Sequence, residues 1–117
     1  MARSLKYPYK VKSRNVWDGW HWRKKSRVSK DEKVMASLMV QQMYGADPLP
    51  DKAVVTMIRI APRALDDDNN VGGMKHIRDG LASALGFKDD AVSSGVTFVC
   101  GQARGKAKEY ALLVQIE

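Results

Sequence analysis

A small mixed α/β (α+β) domain is what this sequence predicts: about four strands in one β-sheet with two helices, in the order βαβαββ. Three observations point there. The chain has 117 residues, enough for one compact domain spanning 1–117 and too few for a second. Two stretches with apolar residues at helical spacing are interleaved among short runs rich in β-branched residues. The last two of those runs are separated only by a polar turn, as in a terminal hairpin, which argues for a mixed sheet covered by helices on one face.

Residues 5 to 11, from Leu5 to Val11, alternate in polarity like a half-exposed strand, and Pro8 confines them to an edge or a strand end. Ser13 to Arg27 is basic and Trp-rich with no clean period, so it reads as a long loop, and long ordered loops in small domains are usually functional. Ser29-Lys30-Asp31-Glu32 has the form of a capping box, and Val34, Met35, Leu38, Met39 and Met43 recur at helical spacing, predicting a first helix over about 30–44. Gly45 and Pro48 stop it. Ala53 to Ile60 is β-rich and ends before Pro62, the second strand. Met74, Ile77, Leu81, Ala82 and Leu85 share one face of a second helix over about 74–85, closed by Gly86. Val96–Cys100 and Tyr110–Ile116 are the last two strands, joined by the turn from Gly101 to Lys108.

The formal net charge is +7, and its placement says more than its size. Residues 1–33 hold eleven Lys and Arg against Asp18, Asp31 and Glu32, a balance of +8. The remaining 84 residues balance to −1. Such asymmetry suits a polyanion, because neutralising phosphates with Lys and Arg supplies most sequence-independent affinity for DNA. Arg14, Arg23, Lys24, Lys25 and Arg27 are the candidate contacts. Trp17, Trp20 and Trp22 lie among them, and an aromatic ring between cations can stack on an unpaired base, with Trp20 as the candidate. The alternative for these tryptophans is to cover the edge of the core or a dimer interface. Cys100 sits in an apolar run and reads as a small buried hydrophobe. No apolar leader of signal-peptide type and no membrane-spanning stretch is present, so a cytosolic protein with no membrane association is expected.

Six of the thirteen acidic residues fall between Asp66 and Asp90. If the chain stays extended past the second strand, Asp66 and Asp68 point to one face, and two carboxylates held together repel unless a cation lies between them. Mg²⁺ characteristically takes one or two carboxylates and fills its octahedron with water and substrate phosphate. Asp90, on the loop after the second helix, offers a third ligand. The competing reading makes Asp67, Asp68 and Asn69 turn and N-cap residues and Asp89-Asp90 a polar turn.

The order Asp66-Asp67-Asp68-Asn69, Lys75, Asp79-Gly80-Leu81, then Gly86-Phe87 and Asp89-Asp90-Ala91-Val92 resembles the RusA family of Holliday junction resolvases. In that family a D-x-D-N motif follows a strand, a lysine opens the next helix, and a pair of aspartates closes the segment. A weaker likeness extends to Ser13-Arg14-Asn15. The resemblance implies a homodimeric, Mg²⁺-dependent crossover junction endonuclease, with Mn²⁺ as a substitute, that resolves four-way DNA junctions by paired nicks in a bacterial or phage-infected cell. It implies Asp66, Asp68 and Asp90 as metal ligands and catalytic residues, Lys75 as the essential lysine, and Asn69 as a support for the site. Two departures bear on this. Five residues separate Asn69 from Lys75 where the family usually has two, so Lys88 is the other candidate for the lysine, and Asp67 stands where the family is usually not acidic. The apolar side of the second helix is the expected dimer patch. The rival to this function is a non-catalytic nucleic-acid-binding module whose acids serve only turns and caps. A third reading is a nuclease of the same fold acting on other branched DNA.

Overall fold

The computed structural model describes residues 2–117. Four strands, β1 (Arg3–Tyr7), β2 (Ala53–Ala61), β3 (Val96–Arg104) and β4 (Ala111–Ile116), form one sheet in the spatial order β1-β4-β2-β3. β4 pairs antiparallel with both β1 and β2, whereas β2 and β3 are parallel over nine registered pairs. The mixed four-stranded sheet is as the sequence predicts, but β3 and β4 do not form the expected terminal hairpin, because β2 lies between them and pairs with both. The helices are α1 (Arg14–Asp18), α2 (Trp22–Tyr44), α3 (Asp67–Gly73) and α4 (Lys75–Ala84), four instead of two.

Along β2 the inward positions are Ala53, Val55, Met57, Arg59 and Ala61, the period-two alternation of a strand with one covered face. Met35, Ala36, Met39 and Val40 of α2 and Ile77, Leu81 and Leu85 at α4 close over that face. Val54, Thr97 and Val99 on the opposite face stay exposed. The apolar side of α4 is thus core within the chain and not a surface for a second copy, which corrects the expected dimer patch. α4 and α2 pack closely because Gly80 has no side chain; a Cβ there would stand 2.9 Å from both Ala36 Cβ and Lys33 Cα.

The largest departure is the basic stretch expected to be a loop. Ser13 caps α1 by accepting from the Val16 N–H at 3.2 Å, and His21 Nδ1 caps α2 by accepting from the Arg23 N–H at 3.2 Å. From Trp22 to Tyr44 no Gly or Pro interrupts the chain, and its Lys, Arg, Glu and Met residues are good helix formers. The apparent capping box at Ser29 therefore lies inside α2. Its two polar groups are used elsewhere: Ser29 Oγ bonds His76 Nδ1 at 3.0 Å, and Glu32, buried, accepts from the Tyr9 hydroxyl. Smaller corrections concern element ends. β1 is Arg3–Tyr7 rather than 5–11, and β3 runs on to Arg104, so the final turn is shorter than Gly101 to Lys108. The helix expected over 74–85 is preceded by α3, from which it is separated at Met74.

Lys12 donates to the Tyr9 hydroxyl and Tyr9 to Glu32, so the segment after β1 is tied to α2. The same segment lies on α3: a Cβ on Gly73 would fall 1.8 Å from the Lys12 carbonyl oxygen. Because the obstacle is backbone, Gly73→Ala is expected to cost about 3 kcal/mol or more by the overpacking mechanism. Gly101→Ala, whose Cβ would meet Ile58 Cγ1 at 3.8 Å, should change stability by less than about 1 kcal/mol when the two variants are compared with the wild type by denaturant titration.

Burial pushes the Glu32 carboxyl above its ordinary 4.5, while the Tyr9 hydrogen bond and the Lys12 charge oppose the shift. The folded chain thus binds this proton more tightly than the unfolded chain. Its contribution is full below the unfolded pKa and is lost as pH rises through the higher folded pKa. Glu32→Gln should remove that loss. Thermal melts from about pH 4 to pH 7 are expected to show the variant falling less with rising pH than the wild type.

Candidate functional site

The acidic segment begins where β2 ends, beside the carboxyl end of its parallel partner β3. In open α/β sheets that edge is where ligands usually bind. The link between strand and helix is held by side chains. Gln102 of β3 treats Leu65 as a strand neighbour: its Oε1 accepts from the Leu65 N–H at 2.9 Å and its Nε2 donates to the Leu65 carbonyl at 2.7 Å. Arg59, only 8% exposed, donates from Nη1 to the Arg63 carbonyl at 2.8 Å and to Gln102 Oε1 at 3.2 Å. Burial lowers the Arg59 pKa, and its Nε is buried without a partner. Asn70, also buried, donates to the Gly101 carbonyl at 3.2 Å and anchors α3 to β3.

This network sets Asp66 at the N-cap of α3, with Asp67 and Asp68 in its first turn and all three exposed. The chain turns helical at Asp67, so the extended arrangement that would align Asp66 with Asp68 does not occur. Asp66 makes no side-chain cap bond; its Oδ1 accepts from Asn69 Nδ2 at 2.6 Å. Asn69 thus supports Asp66 directly. The positive end of a helix favours nearby carboxylates, which accounts for one acid and leaves the other two of the three unexplained. Asp89 serves its turn by accepting from the Ala91 N–H at 2.9 Å. Asp90 instead accepts from Arg78 Nε of α4 at 2.7 Å.

Val71 and Gly72 of α3 line a cleft of about 370 Å³ together with Arg14, Trp17, Asp18, Lys25, Lys75, His76 and Arg78. Four cations share it with one carboxylate, Asp18, which lies 3.7 Å from Arg14. His76 is held by Ser29 on one side and by the Trp17 ring on the other, centroids 4.7 Å apart. Burial, aided by Lys33 and Lys75 and opposed by Asp79, lowers the His76 pKa from 6.5, so the imidazole is neutral at pH 7. Of the expected phosphate contacts, Arg14 and Lys25 line the cleft, and Arg23, Lys24 and Arg27 are exposed on the first turns of α2. Lys75 opens α4 within the cleft, whereas Lys88 is exposed on the following loop. Trp17 is buried and Trp20 half-buried against it, with the Lys24 ammonium 4.4 Å from the Trp20 ring centroid. The exposed ring is Trp22, at 65%.

Carboxylate oxygens are the donors Mg²⁺ takes, and exposed Asp66 and Asp68 fit it in type and number. Among the described residues no three His, Cys, Asp or Glu side chains come together as a metal-ligating cluster, and Asp90 is engaged by Arg78. Gln102, Arg59 and Arg78 escaped the reading of the sequence. Arg59 did leave a signal, a lone charge at an inward position of an otherwise apolar strand. Among the described residues no helix is long and apolar enough to cross a membrane. No family model and no curated protein matches the chain.

If Gln102 fixes Leu65, then Gln102→Leu leaves both backbone groups of Leu65 without partners, at a cost of about 1–3 kcal/mol. Hydrogen exchange should quicken at the Leu65 amide well beyond any change at β4 amides.

Proposed function

We propose that the chain is a Mg²⁺-dependent, structure-selective endodeoxyribonuclease of the RusA type, resolving four-way DNA junctions by paired nicks. The observation that carries the reading is that α3 presents exposed Asp66 and Asp68 at its start and, through Val71 and Gly72, helps line a cleft with Arg14, Lys25, Lys75 and Arg78. Carboxylates beside cations on one surface suit a phosphodiester, which needs its charge held and a cation at the bond to be cut. Asp66 and Asp68 would hold Mg²⁺, which when bound orients a water, lowers its pKa and offsets charge on the phosphate. Asn69 and the Gln102 clamp keep Asp66 in place. Lys75, Arg14 and Lys25 hold the neighbouring phosphates, and the exposed Arg23, Lys24 and Arg27 extend that grip along the strand. Trp22, exposed beside Arg23, replaces Trp20 as the ring suited to an unpaired base at the branch. A junction has near two-fold symmetry, so the active form proposed is a homodimer that presents two sites. The ion pair between Arg78 and Asp90 favours the rival reading, a binding module without catalysis, and cleavage decides between them.

Asp68→Asn is expected to abolish Mg²⁺-dependent cutting of a labelled junction while leaving gel-shift affinity equal or tighter, since a carboxylate facing phosphate is neutralised. Lys75→Ala should also lose cutting. A normal rate in Lys75→Ala with an inactive Lys88→Ala would move the lysine's role to the loop after α4. Salt provides an independent check: each phosphate contact contributes about 0.9 to the log–log slope of affinity on a duplex arm. Charge reversal at Arg23, Lys24 and Lys25 together should flatten that slope, and an unchanged slope would place the contacts elsewhere.

A further inference from the structure

Arg78 belongs to two places at once. Its Nε holds Asp90 Oδ2 at 2.7 Å, and its side chain also lines the cleft with Arg14, Lys25 and Lys75. Among the described residues its terminal nitrogens hold no protein acceptor. Both partners of the ion pair keep solvent contact, 24% and 32% exposed, so the pair can open without unfolding α4. Four cations around one cleft repel one another, and an anion there relieves the repulsion. A guanidinium that gives a carboxylate one bond through Nε can give a phosphate two through its fork.

We propose that the cleft is a phosphate site and that its occupant competes with Asp90 for Arg78, so that filling the cleft frees Asp90 to complete the cation site. The inference rests on the nuclease reading for the role of Asp90. Once Arg78 turns to the phosphate, Asp90 is left without its cation, and a divalent ion shared with Asp66 and Asp68 is the natural replacement. Coupling of this kind is reciprocal: phosphate tightens cation binding, and the cation tightens phosphate binding, by the same factor. The nuclease would then assemble its metal site only where a backbone is in place.

The test is Mn²⁺ binding by calorimetry, with sodium sulfate as the phosphate-like anion and sodium chloride at matched ionic strength as the reference. Sulfate is expected to tighten Mn²⁺ binding by about fivefold, the size of a partly exposed ion pair. Arg78→Gln should bind Mn²⁺ tightly without sulfate and lose the response to it, and Asp90→Asn should lose the response as well. Lys30→Gln makes the same charge change on the exposed surface of α2, outside the cleft, and should leave both Mn²⁺ binding without sulfate and the response to sulfate near those of the wild type. Should Arg78→Gln fold poorly, Arg78→Lys, which keeps the charge and loses Nε, must also blunt the sulfate response. Equal shifts in Arg78→Gln and Lys30→Gln, or no effect of sulfate on the wild type, would overturn the proposal. Since no cleavage is read, the two ideas fail separately: coupled binding without any cutting sinks the nuclease, and Asp68-dependent cutting without coupling sinks this inference alone.

Discussion

The parallel pairing of β2 with β3 is the constraint from which most of the molecule follows. Two parallel neighbours cannot be joined by a tight turn, so the chain must leave the far end of β2 and return across the sheet. α3 and α4 make that return, and Met74, Ile77, Leu81 and Leu85 along it are buried because they face the sheet and α2. The acidic segment is the exit from β2, which fixes it at the carboxyl end of the parallel pair. Gln102 and Arg59 then hold the exit in one shape. The position of Asp66 is thereby a property of the sheet more than of its own loop.

A second set of contacts brings the positive third of the chain over this crossover. Lys12 lies on Gly73, Tyr9 bonds Glu32, and Ser29 bonds His76. Each contact joins a residue before position 33 to α2 or to the crossover, and together they set α1 and the first turns of α2 beside α3 and α4. Charges that are far apart in sequence, Arg14 and Lys25 on one side and Lys75 and Arg78 on the other, meet in one cleft. The electrostatic cost of gathering four cations is tolerable only on a surface that water or an anion reaches. The proposed grip on DNA phosphates would use this arrangement, in keeping with the uneven charge of the chain.

How much of this could be read beforehand depended on how local the signal was. β2 and β4 were legible because their apolar runs are long and their ends are marked by Pro62 and the polar turn before Ala111. The face of α4 was legible because Ile77, Leu81 and Ala82, with Met74 and Leu85 at its ends, recur at helical spacing. The start of α2 was misread because Ser29 and Glu32 look like a capping box, and their true partners, His76 and Tyr9, are far away in sequence. The first turns of α2 have no apolar period because they bear on the cleft and on solvent, so only their helix-forming composition identifies them. Asp66 to Asp68 stand out in the sequence as three acids in a row, yet their geometry does not, since the point at which β2 gives way to α3 is set by Gln102 on another strand. Arg78 was invisible for the same reason, its meaning lying in a contact with Asp90 across a loop.

The account rests finally on whether carboxylates beside a cationic cleft cut DNA or merely accompany its binding. The direct measurement is incubation of the wild-type chain with a labelled four-way junction and with linear duplex of the same sequence, each with and without Mg²⁺. The account predicts paired, symmetric nicks in the junction only when Mg²⁺ is present, with the duplex left intact. Tight junction binding with no cleavage under any of these conditions would contradict it and leave the chain as a binding module.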